Sequence, residues 1–529
     1  MRRWNGWGYE HKNYALPGEA RNYLGDILGE SRPWPEVDFD DLVRTVPPSR
    51  LPPHPLVDTD PACRLRHARG QSLPDRVALR RGTIGSWPDG VAFPADEDQV
   101  RDLLEFAART GSRLIPYGGG TSLAGHINPP AGQQPVLTVS LERMNQLLEL
   151  DEESRLATFG AGIRGPDLEA ALRARGYTLG HFPQSFELST LGGWVSTRSS
   201  GQQSLGYGRI ENLFAGGRVE TPAGTLELPA FPASATGPDL QQMVLGSEGR
   251  LGIITRVRVR VSPLPERESF YTIFFPDWET ALQAVHNIMG QKLPLSMIRL
   301  SNGMETRVNF MLMGRPWQSA LLDQLLRLRG HGPERCMMTI GLTGDRDSNR
   351  HVRGRLRTLL REYRAVWTGT LLGEGWQKNR FRLPYIRESL WNIGYAVDSI
   401  ETAANWSHVR EMVEELEGAV RGAFAVEGER ALVFSHLSHL YAQGACIYTT
   451  CVFRGEGHYE KTLARWQHMR QAGIAAVQAH AGTLSHHHGI GLEHKPWLEQ
   501  EKSPLGIRVI RGMMEQFDPD RMMNPGKLV

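Results

Sequence analysis

Three consecutive glycines directly after the strand-like run RLIPYG constrain this chain more than any other feature, because residues without a Cβ let several backbone N–H groups converge on one anion. The loop, PYGGGTSLAG at Pro116–Gly125, reads as a cradle for a pyrophosphate. It does not fit the Rossmann fingerprint, since the third glycine position after Gly118 and Gly120 is Leu123 and Pro129-Pro130 end any helix that follows. It also lacks the Gly-Lys-Ser/Thr of a Walker loop. By itself a triple glycine is as readily a tight turn.

A second loop, STLGGWVSTRSSGQQSLGYG at Ser189–Gly208, adds a Gly-Gly pair, several hydroxyls and Arg198, all suited to phosphate oxygens. A third, GSEGRLGIIT at Gly246–Thr255, enters a strand through three glycines, where backbone can approach a flat ring closely. Tight packing explains each loop alone. Together they imply a large, elongated, anionic cofactor.

Around these loops the runs VLTVS, LATFG and IITRVRVRV alternate with helices, one capped near Asp96 and ended by Gly111, another over Gly165–Arg175 closed by Gly176. The fold class is α/β (α+β). At 529 residues the chain needs two large domains plus appendages. Residues 1–85, with the extended PPSRLPPHP, form an irregular or helical segment; 86–270 form the cofactor domain. After the break at Pro263 and Pro265, 271–480 form a second α/β unit, and 481–529 a returning segment.

With 60 Lys+Arg against 58 Asp+Glu and no block of one sign, the chain lacks the basic footprint of a nucleic-acid binder. Cys63, Cys336, Cys446 and Cys451 show no CxxC spacing and read as reduced, structural thiols. The N-terminus has no apolar h-region, no 18-residue apolar run occurs, and the final Lys527-Leu528-Val529 is not a peroxisomal address. A soluble, cytoplasmic protein is expected.

The three loops, in this order and at these intervals, resemble the FAD-binding (PCMH-type) domain of the vanillyl-alcohol-oxidase superfamily. The resemblance implies a two-part α/β domain around an extended FAD, with an α/β cap domain. It further implies that FAD is held by Pro116, Gly118, Gly119, Gly120, Thr121 and Ser122, by Ser185, Thr190, Gly192, Gly193, Thr197, Arg198 and Ser200, and by Glu248, Gly252 and Ile254. Members with a covalent flavin often carry His directly after the glycines; here Thr121 implies non-covalent FAD.

Closer still is the resemblance to the alkylglycerone-phosphate synthase family, through WNGWGY at Trp4–Tyr9, SMIRL at Ser296–Leu300, GYAVDSIETAANWS at Gly394–Ser407, GACIY at Gly444–Tyr448 and SHHHGIG at Ser485–Gly491. Read from the residues, His486, His487 and His488 beside Gly489 and Gly491 are a station for proton transfer near neutral pH, a metal triad being awkward because successive side chains diverge. Tyr448 lies in the run CIYTTCVF and reads as a core tyrosine; the resemblance moves it to the active site with the histidines. Arg299, a charge in an apolar stretch, must be paired or bind an anion such as a substrate phosphate.

The chemistry so implied belongs to ether-lipid synthesis: an acyl-dihydroxyacetone phosphate exchanges its acyl group for a fatty alcohol while flavin N5 holds the carbon skeleton. The chain departs from the family at His436, a substrate-site position where animal synthases carry an arginine, and a histidine cannot reproduce a guanidinium fork. That departure strengthens an alternative, an FAD-linked 2-hydroxyacid dehydrogenase or oxidase with a metal on His436, His439 and His487, although the glutamate of that family's Glu-His-Gly-Ile-Gly motif is missing. A flavin-binding protein without catalysis would leave the cap and the histidine-rich tail without a purpose. The partners expected are a lipid-like or small-molecule substrate and a second copy of the chain, with peripheral membrane contact left open and no nucleic acid.

Overall fold

The structure, a computed structural model, describes residues 1–313, 316–455 and 457–529. Strands Gly90–Ala92, Val136–Ser140 and Arg113–Tyr117 run parallel, with Val57–Asp58 antiparallel at the edge. Val136–Ser140 is buried along its whole length, which is why it reads as continuously β-forming rather than alternating. Helix Glu97–Thr110 buries Val100, Leu103, Leu104 and Ala107; the Asp96 carboxylate accepts from the Gln99 N–H, and Gly111 at φ +66° ends the helix.

A second sheet is antiparallel, in the order Leu147–Asp151, Leu156–Gly160, Ile253–Arg260, Phe214–Thr221, Gly224–Leu228. In Ile253–Arg260 the apolar residues alternate with half-exposed arginines, so one face joins the core. That core, containing Val139, Phe159, Trp194 and Val257, unites both sheets into the two-part unit. Helix Gly165–Arg173 stops two residues short of the expected Gly165–Arg175, because Arg175 and Gly176 tighten into i→i−3 bonds to Leu172 and Arg173.

The cap is a seven-stranded antiparallel sheet, in the order Val366–Trp367, Arg267–Phe275, Cys336–Gly344, Met297–Ser301, Ala431–Leu440, Gly444–Arg454, Tyr395–Asn405. Helices Trp278–Gly290, Arg346–Leu359, Trp406–Ala425 and Tyr459–Ala479 pack one face. On the other face the N-terminal helix Gly18–Leu28 sets Leu24 and Leu28 against Val397, Leu432, Phe434 and Val452. The tail returns to the first sheet: the Leu114 N–H donates to the Met522 carbonyl at 2.9 Å, the Asn524 N–H to the Leu114 carbonyl at 2.7 Å, and Met522 and Met523 enter the core.

Candidate active site

Gly118–Ser122 leave the end of strand Arg113–Tyr117 and line a cavity of about 430 Å³, together with residues of the 189–200 loop and Glu248, Gly249, Gly252 and Ile254. The N–H groups of Gly119, Gly120, Thr121, Ser122 and Leu123 meet no acceptor among the described residues, and the buried Ser200 hydroxyl is likewise unpaired. Orphaned donors in a cavity wall are what a diphosphate would satisfy, so this wall fits the pyrophosphate of an FAD.

The glycines serve a different purpose from the one their sequence suggested. A Cβ on Gly118 would strike the Thr190 hydroxyl, one on Gly119 the Leu188 carbonyl, and one on Gly120 the Tyr117 hydroxyl. Gly118 and Gly119 let one loop pack on the other, and Gly120, at φ +64°, lets the chain turn back over the Tyr117 ring. Thr190 caps helix Leu191–Thr197 by accepting from the Gly193 N–H at 3.4 Å, and Arg198 at φ +52° ends it.

Arg198 is a correction. Its Nε donates to the Leu245 carbonyl (3.1 Å) and Nη2 to the Gln242 carbonyl (3.0 Å), so the guanidinium ties two loops together outside the cavity wall. Glu248 is another. Its carboxylate accepts from the N–H groups of Ile490 (2.6 Å) and Gly491 (2.8 Å) and lies 3.2 Å from His126 Nε2. Burial alone would raise this carboxyl, but His126 and the two amides hold it below the usual range. Glu248 thus anchors the C-terminal loop to the cofactor wall.

Opposite the FAD loops, the register of the cap sheet sets distant residues side by side: Ser301 faces His436, His436 faces Tyr448, and Tyr448 faces Glu401. Arg299, two residues before Ser301 on the same face, donates from Nη2 to Glu305 Oε1 at 2.7 Å. His436 Nδ1 lies 2.9 Å from that oxygen and 3.1 Å from Arg299 Nη2. Burial would raise Glu305, but the guanidinium and His436 outweigh it and hold its carboxyl at about 2. Burial, then Arg299, pushes His436 down, so the imidazole is neutral. Arg299 therefore lines the cavity already paired with an anion, and His436 supplies no positive charge.

A freer cation is Arg387, which helix Leu383–Trp391 carries into the cavity wall; its closest carboxylate oxygen is Asp398 Oδ1 at 3.9 Å. Tyr448 accepts from the Ser399 hydroxyl at 2.7 Å, and its ring stacks on His436 with centroids 5.1 Å apart. Burial pushes its phenol up, keeping it a proton donor.

The histidine loop is held by Glu401. Oε1 accepts from the Ser485 hydroxyl (2.6 Å) and the N–H groups of His487 (3.2 Å) and His488 (3.0 Å), and Oε2 from the His486 N–H (2.8 Å). Burial opposes ionisation, but His487 and His488 drive this carboxyl far below the usual carboxylate range. Of the three imidazoles only His487 and His488 line the cavity. His486 turns behind them, to Arg209 and the Tyr441 hydroxyl, because successive side chains diverge. Burial, foremost, pushes both His486 and His488 far down.

The alternative metal set does not assemble, because His436 is turned onto Glu305. Ligand atoms of Glu401, Cys446, His486 and His487 do lie within 4.8 Å of one another. Glu401 is already saturated by four donors, Arg209 occupies His486 Nε2, and burial pushes the Cys446 thiol up. Glu401, His486 and His487 thus form a hydrogen-bond network, while the Cys446 sulfur accepts from the Ser438 hydroxyl at 3.4 Å.

Sequence reasoning missed Glu401, Arg387, Arg209 and Tyr441. Glu401 left a signal, an acid inside the β-branched run VDSIETA, the same logic that singled out Arg299. Arg387 left none, being one arginine of an amphipathic helix.

Residues 264–528 match the family described as FAD linked oxidases, C-terminal domain, and residues 88–228 match the FAD binding domain. An alkyldihydroxyacetonephosphate synthase of Dictyostelium discoideum is 31% identical over 99% of this chain and 87% of its own length. A solved alkyldihydroxyacetonephosphate synthase structure superposes with a TM-score of 0.87 at 28% identity, covering 100% of this chain and 99% of that one. A glycolate oxidase subunit, GlcD of Bacillus subtilis, stands further off at 24% identity over 84% of this chain and 89% of its own.

Proposed function

The chain belongs to the FAD-linked oxidase family, beside its alkyldihydroxyacetonephosphate synthases, and on that premise we propose that it exchanges the acyl group of an acyl-dihydroxyacetone phosphate for a fatty alcohol. One observation carries this reading. The cap residues Arg387 and Tyr448, with His487 of the returning loop, face the FAD loops in one cavity that continues into an apolar wall of Leu24, Val308, Leu312, Leu390, Leu432 and Phe434. A phosphate, a reacting carbon and an aliphatic chain each find a matching surface there.

The amides of Gly119–Leu123 and the Ser200 hydroxyl would hold FAD, which would supply the nucleophile and electron sink. Arg387 binds the substrate phosphate, with the Arg299–Glu305–His436 trio as the neutral wall beside it. Tyr448 and His487 hold and move protons where the acyl carboxylate departs and the alcohol arrives. One C–O bond breaks and one forms at the same carbon, so no electron leaves the site. Thr121 stands where members with a covalent flavin often carry His, which supports non-covalent FAD.

The helix Pro316–Leu328 exposes Trp317, Leu321, Leu325 and Leu328 along one stripe, which supports peripheral contact with a lipid surface that delivers both substrates. No helix among the described residues is long and apolar enough to cross a membrane. Co-sedimentation with phospholipid vesicles should fall when Trp317 and Leu321 become serine. Sedimentation of the wild type as a dimer without lipid, lost in the same variant, assigns the stripe to self-association instead.

Anaerobic turnover tests the reaction class. Acyl-dihydroxyacetone phosphate plus fatty alcohol should give alkyl product and free fatty acid with no oxygen, quinone or dye, and chelator should change nothing. Full flavin reduction by a 2-hydroxyacid, with turnover that requires an external acceptor, overturns the assignment.

A further inference from the structure

Behind the cavity wall, the Arg209 guanidinium places Nη1 2.9 Å from His486 Nε2 and Nη2 2.9 Å from the His486 carbonyl. It is locked there by Nη2 donating to the Arg198 carbonyl (3.0 Å) and by an ion pair from Nε to Glu211 (2.9 Å). The Tyr441 hydroxyl accepts from Arg209 Nη1 (3.3 Å) and is in hydrogen-bond contact with the same His486 Nε2. On its other side His486 Nδ1 lies 2.9 Å from His487 Nδ1.

A guanidinium has donors only, so a ring nitrogen facing it must offer a lone pair. Neutral His486 then carries its proton on Nδ1. Two N–H groups cannot share a 2.9 Å gap, so His487 Nδ1 is the acceptor there and the His487 ring carries its proton on Nε2.

We propose that Arg209 is a positioning residue that sets the tautomer of His486 and, through it, of His487, so that His487 rests with its proton on Nε2. This inference deepens the proposed function and rests on His487 being its proton-transfer group. Deep burial, then His487 and Arg209, disfavours charge on His486. The groups facing His487 are the Glu401 carboxylate, 3.3 Å from its Nδ1, the rings of His439, His486 and His488, and the Tyr448 ring. Of these only Glu401 competes for a proton on Nδ1, and it can receive one only after the bond from His486 breaks. His487 therefore acts first as a donor, to the departing acyl carboxylate, and not as the acceptor of the substrate's carbon proton.

The test is ¹⁵N spectroscopy of side-chain-labelled histidine in the FAD-loaded enzyme without substrate, with the His487 signal identified by its loss in His487→Gln. The expected result is a protonated Nε2 and a bare Nδ1 in the wild type, loss of that fixed pattern in Arg209→Met, and its return in Arg209→Lys, which also only donates. A wild-type His487 protonated on Nδ1 overturns the inference even if neither Arg209 variant folds, and so does an unchanged pattern in Arg209→Met with FAD bound. Because no turnover is read, a wrong reaction class leaves this result standing and a wrong tautomer leaves the reaction class standing.

Discussion

Replacing Glu401 by Gln should loosen the histidine loop without removing a single atom of bulk. Gln keeps one carbonyl oxygen for the Ser485 hydroxyl and the N–H groups of His487 and His488, but it turns an NH₂ toward the His486 N–H, donor against donor. A buried N–H that loses a charged acceptor costs about 2–3 kcal/mol, and weakening the remaining charge-assisted bonds adds about 1 kcal/mol, for a total near 3 kcal/mol. That corresponds to roughly 10²-fold in the population of the anchored loop, and turnover should fall by up to this factor. The pH dependence has a definite sign. Because the Glu401 carboxyl lies far below its ordinary value in the folded protein, its contribution is complete above the unfolded value near 4.5 and is lost as pH falls through the folded one. Wild type and variant should thus differ by a constant factor around neutrality and converge only in acid. Amide hydrogen exchange over residues 485–491, read beside turnover and FAD content, measures the effect. Unchanged exchange there, with turnover within about 3-fold of wild type and FAD bound, would refute the anchoring role.

Three further outcomes follow from the cavity. Acid or heat should release all of the flavin as free FAD, and a protein precipitate that stays yellow would show a covalent bond. Gly119→Val should lose FAD because its side chain would drive the Leu188 carbonyl out of place; a variant with full FAD content would mean that the 188–190 loop yields freely. His487→Ala and Tyr448→Phe should each lower turnover by roughly 10²-fold with FAD retained, as proton-transfer groups do; near-normal rates would return both to a structural role.

The elements that local chemistry dictates were legible in the sequence. Helix Glu97–Thr110 announces its face, its Asp96 cap and its Gly111 stop within sixteen residues, and the strand before the triple glycine follows directly. The cavity wall was legible for the same reason, since Gly118–Ser122 and Thr190–Gly193 are contiguous segments. What remained hidden was pairing across the cap sheet. Glu401, His436 and Tyr448 meet only because three strands, brought together from Tyr395 to Arg454, settle into one register, and a slip of one residue would turn each side chain to the other face. Arg198 was misread because residue type speaks for phosphate while conformation decides: at φ +52° its side chain leaves the helix end toward Gln242 and Leu245.

The WNGWGY opening shows how a motif far from the chemistry bears on it. The Trp7 N–H donates to Glu388 Oε1 at 3.0 Å, Arg76 Nη2 to the same oxygen at 2.8 Å, and Arg80 Nη2 to Glu388 Oε2. Glu388 is buried on helix Leu383–Trp391, one residue from Arg387. Two guanidiniums and an amide therefore fix the rotation of the helix that aims Arg387 into the cavity. The glycines of the motif are required by this contact: a Cβ on Gly6 would strike the Glu388 carboxylate, and Gly8, at φ +82°, packs against the Tyr385 ring of the same helix. Gly8→Ala should therefore combine left-handed strain with a collision, at about 1–3 kcal/mol for the backbone alone. Its signature should be a raised KM for the phosphate-bearing substrate with FAD content preserved, because the helix shifts while the glycine loops do not. An unchanged KM would mean that Arg387 is not the phosphate's partner.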